Sequence, residues 1–200
     1  KKIEKLLAGD LKPVKTAELG KAQRFDESGD RYIEFCKSTV PADVSFESLR
    51  IVLDCANGAC YKVSPSILRE LGAEVISIGT EPDGYNINHE CGSTHPERAQ
   101  EEVIKQRADF GIALDGDGDR VVLIDRKGNI LDGDDIMYIL AYANPNRMGP
   151  WSGIVGTSMT NLGFEEGVKK LGYKFKRADV GDKYVSQMLQ KEGWMLGGEP

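Results

Sequence analysis

This 200-residue sequence has no long apolar run, fewer basic than acidic residues, and only four cysteines. No stretch approaches the roughly 18 uncharged apolar residues of a membrane-spanning helix, and no apolar signal-peptide core follows the lysine-rich start. Lysine and arginine number 26 against 32 acidic residues, so the net charge is −6. This balance argues against nucleic acid or an anionic membrane as the main partner.

The cysteines are Cys36, Cys55, Cys60 and Cys91. Four cysteines in a chain of this size favour reduced thiols in a cytoplasmic protein. The apolar fraction of 40% is ample for a buried core. The composition does not determine the oligomeric state, and it is compatible with a homodimer. Because the chain begins on a charged, helix-like stretch and stops just after a strand-like run, we expect it to be a piece of a longer one.

From residue 49 onward, strand-like apolar runs alternate with amphipathic, helix-like runs. We predict strands over residues 49–55, 73–79 and 109–115, and helices within residues 64–72 and 95–108. Ser64 is the predicted cap of the first of these helices, and Pro65 is its predicted first residue. This alternation predicts an α/β fold in which a parallel or mixed sheet is covered by flanking helices.

A hairpin, a helix and a stretch of turn-forming residues follow. Residues 121–131 predict two short strands joined by a turn, and residues 132–143 predict a helix with an acidic first turn. The turn-formers of residues 144–153 are the predicted linker, after which strands and helices alternate again. We predict that residues 1–45 are the tail of a first domain, that residues 46–146 form a complete α/β domain, and that residues 147–200 are the start of a third domain.

The segment DGDGD places three carboxylates at alternate positions directly after a predicted strand. Gly116 and Gly118 let the backbone turn tightly with positive φ, so Asp115, Asp117 and Asp119 can converge on one point. Hard oxygen ligands at this spacing suit Mg²⁺, which combines a few carboxylates with water and a phosphate oxygen. The loop therefore predicts a magnesium site.

Arg120 follows the aspartates directly, and its guanidinium is shaped to hold a phosphate in a two-pronged contact. An EF-hand loop also begins with alternating aspartates, but its sixth and twelfth residues should be Gly and Glu. Here they are Arg120 and Arg126, which excludes that motif. A haloacid-dehalogenase-type phosphatase would use Asp115 as its nucleophile, yet Asp119 stands where that motif has Thr or Val. An ordinary solvated acidic turn is the remaining alternative.

Two other groups of reactive side chains are interpreted as structural. His89, Cys91 and His95 lie close together in sequence, but their spacing matches no common zinc knuckle. Cys55 is predicted to point from a strand into the core, so it is not expected to join them. Ser158 lies near the end of a predicted strand with no histidine beside it, which favours a role in a turn over a role as a nucleophile.

The segment DGDGDR after a buried strand resembles the magnesium loop of the α-D-phosphohexomutase family. The resemblance extends, in order, through RYIEFCK (31–37), LDCANGA (53–59), LRELGAEVISIG (68–79), EPDGYNIN (81–88), CGSTHPE (91–97), DGDDIMYI (132–139), VGTSMTNLG (155–163) and VGDKYV (180–185). These segments resemble the bacterial branch that acts on glucosamine phosphates. The resemblance covers nearly the whole chain, and an ordered set of motifs is far more specific than a lone DGD.

Members of this family build one cleft from four domains, and the resemblance implies roles for individual residues here. The implied Mg²⁺ ligands are Asp115, Asp117 and Asp119. The implied catalytic contact to the phosphate of a phosphoserine is Arg120. The implied substrate-binding residues, which belong to two loops at the sugar, are Gly181, Asp182, Lys183 and Glu199.

The implied reaction is an intramolecular phosphotransfer that interconverts glucosamine 6-phosphate and glucosamine 1-phosphate through a phosphoserine enzyme and a 1,6-bisphosphate. Sister enzymes acting on glucose or mannose phosphates are the nearest alternative. The family's phosphoserine signature, a Ser-His-Asn-Pro-like loop, occurs nowhere in these residues, and neither does the phosphate-gripping loop of the fourth domain. We therefore expect a sugar phosphate as the small-molecule partner, and no mutase activity from this chain by itself.

Overall fold

The computed structural model describes residues 2–9, 13–144 and 149–200, which form two β-sheets covered by helices. The elements of the first part are α1 (Lys2–Leu7), α2 (Ser28–Ser38), β1 (Arg50–Asp54), α3 (Val63–Glu70), β2 (Glu74–Ile78), α4 (Glu97–Lys105), β3 (Phe110–Leu114), β4 (Val121–Asp125) and β5 (Ile130–Leu131). Those of the second part are α5 (Gly133–Ala143), β6 (Gly153–Thr157), α6 (Leu162–Lys170), β7 (Lys174–Ala178), α7 (Asp182–Glu192) and β8 (Leu196–Gly197). Short 3-10 turns lie at Thr16–Glu18 and Gly149–Trp151.

The first sheet is mixed and has the strand order β2-β1-β3-β4-β5. β1 pairs in parallel with β2 and with β3, whereas β3, β4 and β5 are antiparallel neighbours. The predicted α/β fold is thus confirmed. The chain leaves β1 for β2 on one side and returns to β3 on the other. The carboxyl ends of β1 and β3 therefore form the switch point at which open α/β sheets hold their ligands.

The central strand β1 is buried on both faces. Ile51 and Val52 point to opposite faces of the sheet, and neither has any exposed surface. On one face, Val52 packs with Val103 of α4 and Ile124 of β4 in the core of the first sheet. β1 ends in Asp54, whose carboxylate is also fully buried. The strand that leads to the switch point is therefore anchored in the core along almost its whole length.

The second sheet has three parallel strands in the order β7-β6-β8. Helix α5 packs into its core, where Met137 and Ala141 join Ile154, Phe164 and Leu196. The domain boundary predicted at residues 146 and 147 stays a prediction, because residues 145–148, which include part of the predicted linker, lie outside the described residues. The packing of α5 favours dividing the chain ahead of this helix.

The helix starts show where local sequence rules succeed and where they fail. The acidic first turn predicted for α5 is present as Asp134 and Asp135. Asp132, predicted as the first helical residue, is instead the N-cap, and it forms a reciprocal capping box with Asp135. The prediction that Ser64 caps α3 is wrong. The Ser64 N–H already donates to the Cys60 carbonyl at 3.1 Å, so the helical turn begins earlier and Lys62 occupies the cap position. Pro65 is then the third residue of the first turn, where its missing N–H leaves no helical hydrogen bond unmade.

All four cysteines are free thiols. Cys55 is fully buried, as its predicted place at the end of a core strand requires. Within the part of the chain that the structure describes, no helix combines the length and apolar content needed to cross a membrane.

The buried carboxylate of Asp134 in α5 is hydrogen-bonded to Asn161, the N-cap of α6, and this contact allows the packing of the two helices to be tested. Asp134 is 2% exposed, and its Oδ2 accepts the Asn161 backbone N–H at 2.8 Å and the Asn161 amide at 2.9 Å. Burial raises the pKa of Asp134 above the ordinary 3.8. The folded protein therefore holds this proton to higher pH than the unfolded chain does.

We expect the wild-type protein to lose stability relative to Asp134→Asn as the pH rises above 3.8 and through the raised pKa. The variant keeps an acceptor for Asn161 but carries no buried charge. Urea unfolding of both proteins across acidic and neutral pH measures the difference. Asp43→Asn, which removes an exposed carboxylate, is the control. A difference that does not change with pH would contradict the prediction.

Candidate metal and phosphate site

The aspartate loop is the connection between β3 and β4, at the switch point of the first sheet. Leu114 and Val121 are the last antiparallel partners of these strands, so residues 115–120 form a tight hairpin loop. Its carboxylate and amide groups emerge beside the loop that follows β1. This is the position at which the fold is expected to hold a ligand.

The three aspartates converge as predicted. One carboxylate oxygen from each of Asp115, Asp117 and Asp119 lies within 4.8 Å of the others, and no other group of three or more acidic, histidine or cysteine ligands comes together among the described residues. Asp115 is 1% exposed, whereas the other two are open to solvent. Asp115 thus anchors the cluster, and the exposed pair leaves room for water and a further ligand. Their role as metal ligands stays a prediction.

The charges of the cluster act on one another. The negative charge of Asp117 raises the pKa of Asp119 above its ordinary value of 3.8. Burial alone would raise the pKa of Asp115, but the backbone N–H and the guanidinium of Arg120 hold it below 3.8. A cation at the cluster would relieve the remaining repulsion between the carboxylates.

Arg120 is bound to the anchor of the cluster. Its Nε donates to Oδ2 of Asp115 at 2.9 Å, and its backbone N–H donates to Oδ1 at 3.0 Å. The Arg120 side chain is still 63% exposed, and its terminal nitrogens carry no hydrogen bond to the described residues. The guanidinium is therefore oriented by Asp115 while its outer edge remains available to an anion.

The two loop glycines serve different purposes. Gly118 adopts φ +75°, the left-handed conformation predicted for it. The same prediction for Gly116 is wrong, because this residue does not have positive φ. A Cβ at Gly116 would instead lie 2.7 Å from the Ile87 side chain and 2.8 Å from the Asn88 amide. Gly116 is thus required by close packing against the loop of residues 86–88, a contact that a sequence pattern does not reveal.

A cavity of about 690 Å³ joins this loop to the second sheet. Asp119 and Arg120 line it from the first part of the chain, and Asp182 and Glu199 line it from the second. Two hydroxyl residues that sequence reasoning missed, Ser93 and Thr94, line it as well. They lie just ahead of α4, in a segment recognised only as part of a family motif.

The predicted sugar-binding residues fall into two groups. Both carboxylate oxygens of Glu199 accept the Gly181 N–H, each at 3.1 Å, so these two residues are in direct contact. Asp182 begins α7 directly after Gly181 and reaches the cavity. Lys183 is exposed and is not part of the cavity lining. Asp182 and Glu199 therefore line the cavity, Gly181 contacts Glu199 without lining it, and Lys183 is not part of the lining.

The other metal hypothesis receives no support from the described residues. His89, Cys91 and His95 do not form a cluster of ligand atoms. Burial raises the pKa of the Cys55 thiol to about 12, which keeps it protonated and unsuited to zinc. The structure thus concentrates ligand chemistry at the aspartate loop.

Two consecutive family matches cover most of the chain. Residues 30–128 match the family described as phosphoglucomutase/phosphomannomutase, alpha/beta/alpha domain II, and residues 132–200 match its alpha/beta/alpha domain III. The chain belongs to the phosphoglucomutase/phosphomannomutase family, which confirms the resemblance stated from its motifs.

Within this family, the chain is similar to proteins named phosphoglucosamine mutase. The phosphoglucosamine mutases of Thioalkalivibrio sulfidiphilus and Hahella chejuensis are each 53% identical over 197 residues, covering 98% of this chain and 44% of the relative. The crystal structure of a phosphoglucomutase/phosphomannomutase family protein from Burkholderia thailandensis has a TM-score of 0.74 at 26% identity, covering 88% of this chain and 38% of that chain. The chain thus spans less than half the length of these relatives.

Asp117→Asn tests the aspartate loop as the metal site. In the 200-residue chain we expect weak Mg²⁺ binding, with a dissociation constant of about 1 mM, because no phosphate oxygen completes the coordination. Loss of one exposed carboxylate should abolish this binding in isothermal titration, whereas Asp43→Asn should leave it unchanged. Tight Mg²⁺ binding that survives Asp117→Asn would place the site elsewhere.

Proposed function

We propose that this chain is part of a phosphoglucosamine mutase, which interconverts glucosamine 6-phosphate and glucosamine 1-phosphate. The observation that carries the proposal is the shared cavity, with Asp119 and Arg120 on one wall and Asp182 and Glu199 on the other. Phosphoryl transfer on a sugar needs positive charge at the phosphate and polar contacts at the sugar hydroxyls, and the two walls supply these. The names of the relatives at 53% identity favour the amino sugar over glucose or mannose.

Mg²⁺ is the proposed cofactor. The donor set fits this ion, since three hard carboxylates have oxygens within 4.8 Å of one another and two of the residues are open to solvent. The residues that would hold it are Asp115, Asp117 and Asp119. When bound, Mg²⁺ supplies positive charge that offsets the charge of the transferring phosphoryl group.

Arg120 is proposed to bind the phosphoryl group itself. Because its Nε is engaged by Asp115 at 2.9 Å, the plane of the guanidinium is fixed and its two terminal nitrogens are left as a fork for two phosphate oxygens. The rival role of Asp115 as a nucleophile is disfavoured. That carboxylate is 1% exposed, and both of its oxygens accept hydrogen bonds from Arg120. A nucleophile needs a free oxygen facing the phosphorus.

The second wall is proposed to recognise the sugar. Glu199 accepts the Gly181 N–H, which fixes the carboxylate while leaving it lone pairs for sugar hydroxyls. Asp182 lines the same cavity, and the exposed Lys183, next to it in sequence, is proposed to add positive charge that attracts an anionic substrate.

The phosphoryl donor is proposed to be a phosphoserine in a part of the full-length protein that this chain does not include. No Ser-His-Asn-Pro-like segment occurs in the 200 residues. Ser158 lies exposed in the turn after β6 and has no histidine neighbour in sequence that could act as its base. We also propose a cytoplasmic location, which the four free thiols support, and no nucleic-acid partner, in keeping with the net charge of −6.

Substrate choice tests the proposal most directly. In the full-length protein we expect kcat/KM for glucosamine 6-phosphate to exceed that for glucose 6-phosphate or mannose 6-phosphate by about tenfold or more, since a site built to bind the 2-amino group loses a contact when a hydroxyl replaces it. Coupled assays with the three sugar phosphates measure the ratio. Equal or reversed preference would favour a sister mutase, and phosphate found covalently on Asp115 would favour a phosphatase.

Arg120 should act on the chemical step. We expect Arg120→Ala in the full-length protein to lower kcat by about 100-fold or more with KM changed only a few-fold, because the contact strengthens as charge moves onto the phosphate oxygens. Arg120→Lys should recover only part of the rate, since an ammonium cannot bind two oxygens in the same planar fork.

The competing role for Arg120 is to neutralise the aspartates. In that case the loss in Arg120→Ala would lie in Mg²⁺ affinity, and excess metal would recover it. A titration of kcat against Mg²⁺ for both variants separates the two roles. Full recovery at high Mg²⁺ would remove Arg120 from the catalytic step.

A further inference from the structure

Asp54, the last residue of β1, is a buried carboxylate that takes no part in the proposed chemistry. It has no exposed surface. Its Oδ1 accepts the Ala56 N–H at 2.9 Å, and its Oδ2 accepts the Gly92 N–H at 2.9 Å. Both oxygens are therefore used to hold backbone, and the two segments that they hold are far apart in sequence.

The first of these segments holds the aspartate loop at Gly116. Residues 55–59 follow β1, and the Ala59 N–H donates to the Gly116 carbonyl at 2.7 Å. Gly58 lies so close to Gly116 that a Cβ at position 58 would collide with the Gly116 backbone. The segment thus packs backbone against backbone on the aspartate loop.

This first segment needs to be held in place. Ala56 has φ 52° and Asn57 has φ 49°, the left-handed conformation that is unfavourable for residues with a Cβ. Such a conformation persists only where surrounding contacts fix it. The bond from Asp54 to the Ala56 N–H is one of these contacts, and the bond from the Asn57 N–H to the Gly79 carbonyl at 2.7 Å is another.

The second segment holds Leu114, the last residue of β3, on the other side of Asp115 from Gly116. The Ser93 N–H, next to Gly92, donates to the Leu114 carbonyl at 2.9 Å. A Cβ at Gly92 would collide with that same carbonyl and with the Ala56 side chain. The two segments held by Asp54 therefore touch each other as well as the loop.

We infer that Asp54 is a positioning residue for the metal site, acting through Ala56 on Gly116 and through Gly92 on Leu114. Leu114 and Gly116 are the neighbours of Asp115, so the backbone is fixed on both sides of the buried anchor of the cluster. A carboxylate suits this task because it offers two acceptors in different directions. An amide offers only one, and its NH₂ group would face a backbone N–H. The inference rests on the proposed metal-binding role of the loop.

The test compares Asp54→Asn with Val52→Ala in the full-length protein. Val52 lies on the same strand, is equally buried and packs in the core of the first sheet, so its truncation controls for a loss of stability alone. Hydrogen exchange of the amides of residues 114–120 is measured without metal. We expect faster exchange there in Asp54→Asn than in Val52→Ala. The Mn²⁺ dissociation constant, used as a probe of the site, should rise about tenfold in Asp54→Asn only.

The outcomes separate this inference from the proposed function. The inference is overturned if the loop amides of Asp54→Asn exchange as in the wild type. It is also overturned if the wild type binds Mn²⁺ and Asp54→Asn binds it with the same dissociation constant. If the wild type binds no Mn²⁺ at the loop, the proposed function fails, and the exchange measurement still decides the role of Asp54. Should Asp54→Asn not fold, Gly58→Ala disturbs the Gly116 contact alone, and normal exchange and affinity in that variant would also overturn the inference.

Discussion

The repulsion between three carboxylates gathered in one loop is the constraint around which this site is built. Their oxygens lie within 4.8 Å of one another, and the cost appears in the raised pKa of Asp119. The fold offsets this repulsion at the buried residue, Asp115, which accepts hydrogen bonds from the backbone N–H and the guanidinium of Arg120. The exposed members are left to water and, in the proposed function, to Mg²⁺.

Arg120 consequently has two tasks that the geometry makes compatible. Its Nε and backbone N–H are directed at Asp115, and the outer edge of the guanidinium is open to the cavity. The same contact that stabilises the buried carboxylate therefore fixes the orientation of the group proposed to bind phosphate. A lysine at this position could supply the positive charge, but its ammonium could not contact Asp115 and a phosphate in the fixed planar arrangement of a guanidinium.

The cavity exists because the two sheets meet at the start of α5. A Cβ at Gly133 would collide with the Glu199 carbonyl oxygen, so the backbones that leave β5 and β8 are in contact there. Met137 of α5 packs into the core of the second sheet a turn later. Helix α5 thus belongs, by its packing, to the part of the chain that carries Glu199 and Gly181.

Much of this arrangement could be predicted from the sequence, because it depends on short-range patterns. The alternation of apolar runs predicts the α/β fold, and the acidic first turn of α5 follows from its own segment. Local rules failed where a contact from elsewhere decides the conformation. Gly116 is required by the loop of residues 86–88, and Ser93 and Thr94 reach the cavity only through the folding of the chain ahead of α4.

The sequence by itself determined which chemistry the chain can carry: alternating carboxylates after a strand, an arginine beside them and an ordered set of family motifs. Only the tertiary structure decided which carboxylate is the anchor, since burial of Asp115 depends on the strands and loops packed around it. It also decided that Asp54 holds segments 36 residues apart in sequence, at Ala56 and Gly92, around one loop. Hydrogen bonds between distant segments leave no periodic trace in a sequence, and for that physical reason they appear only in the fold.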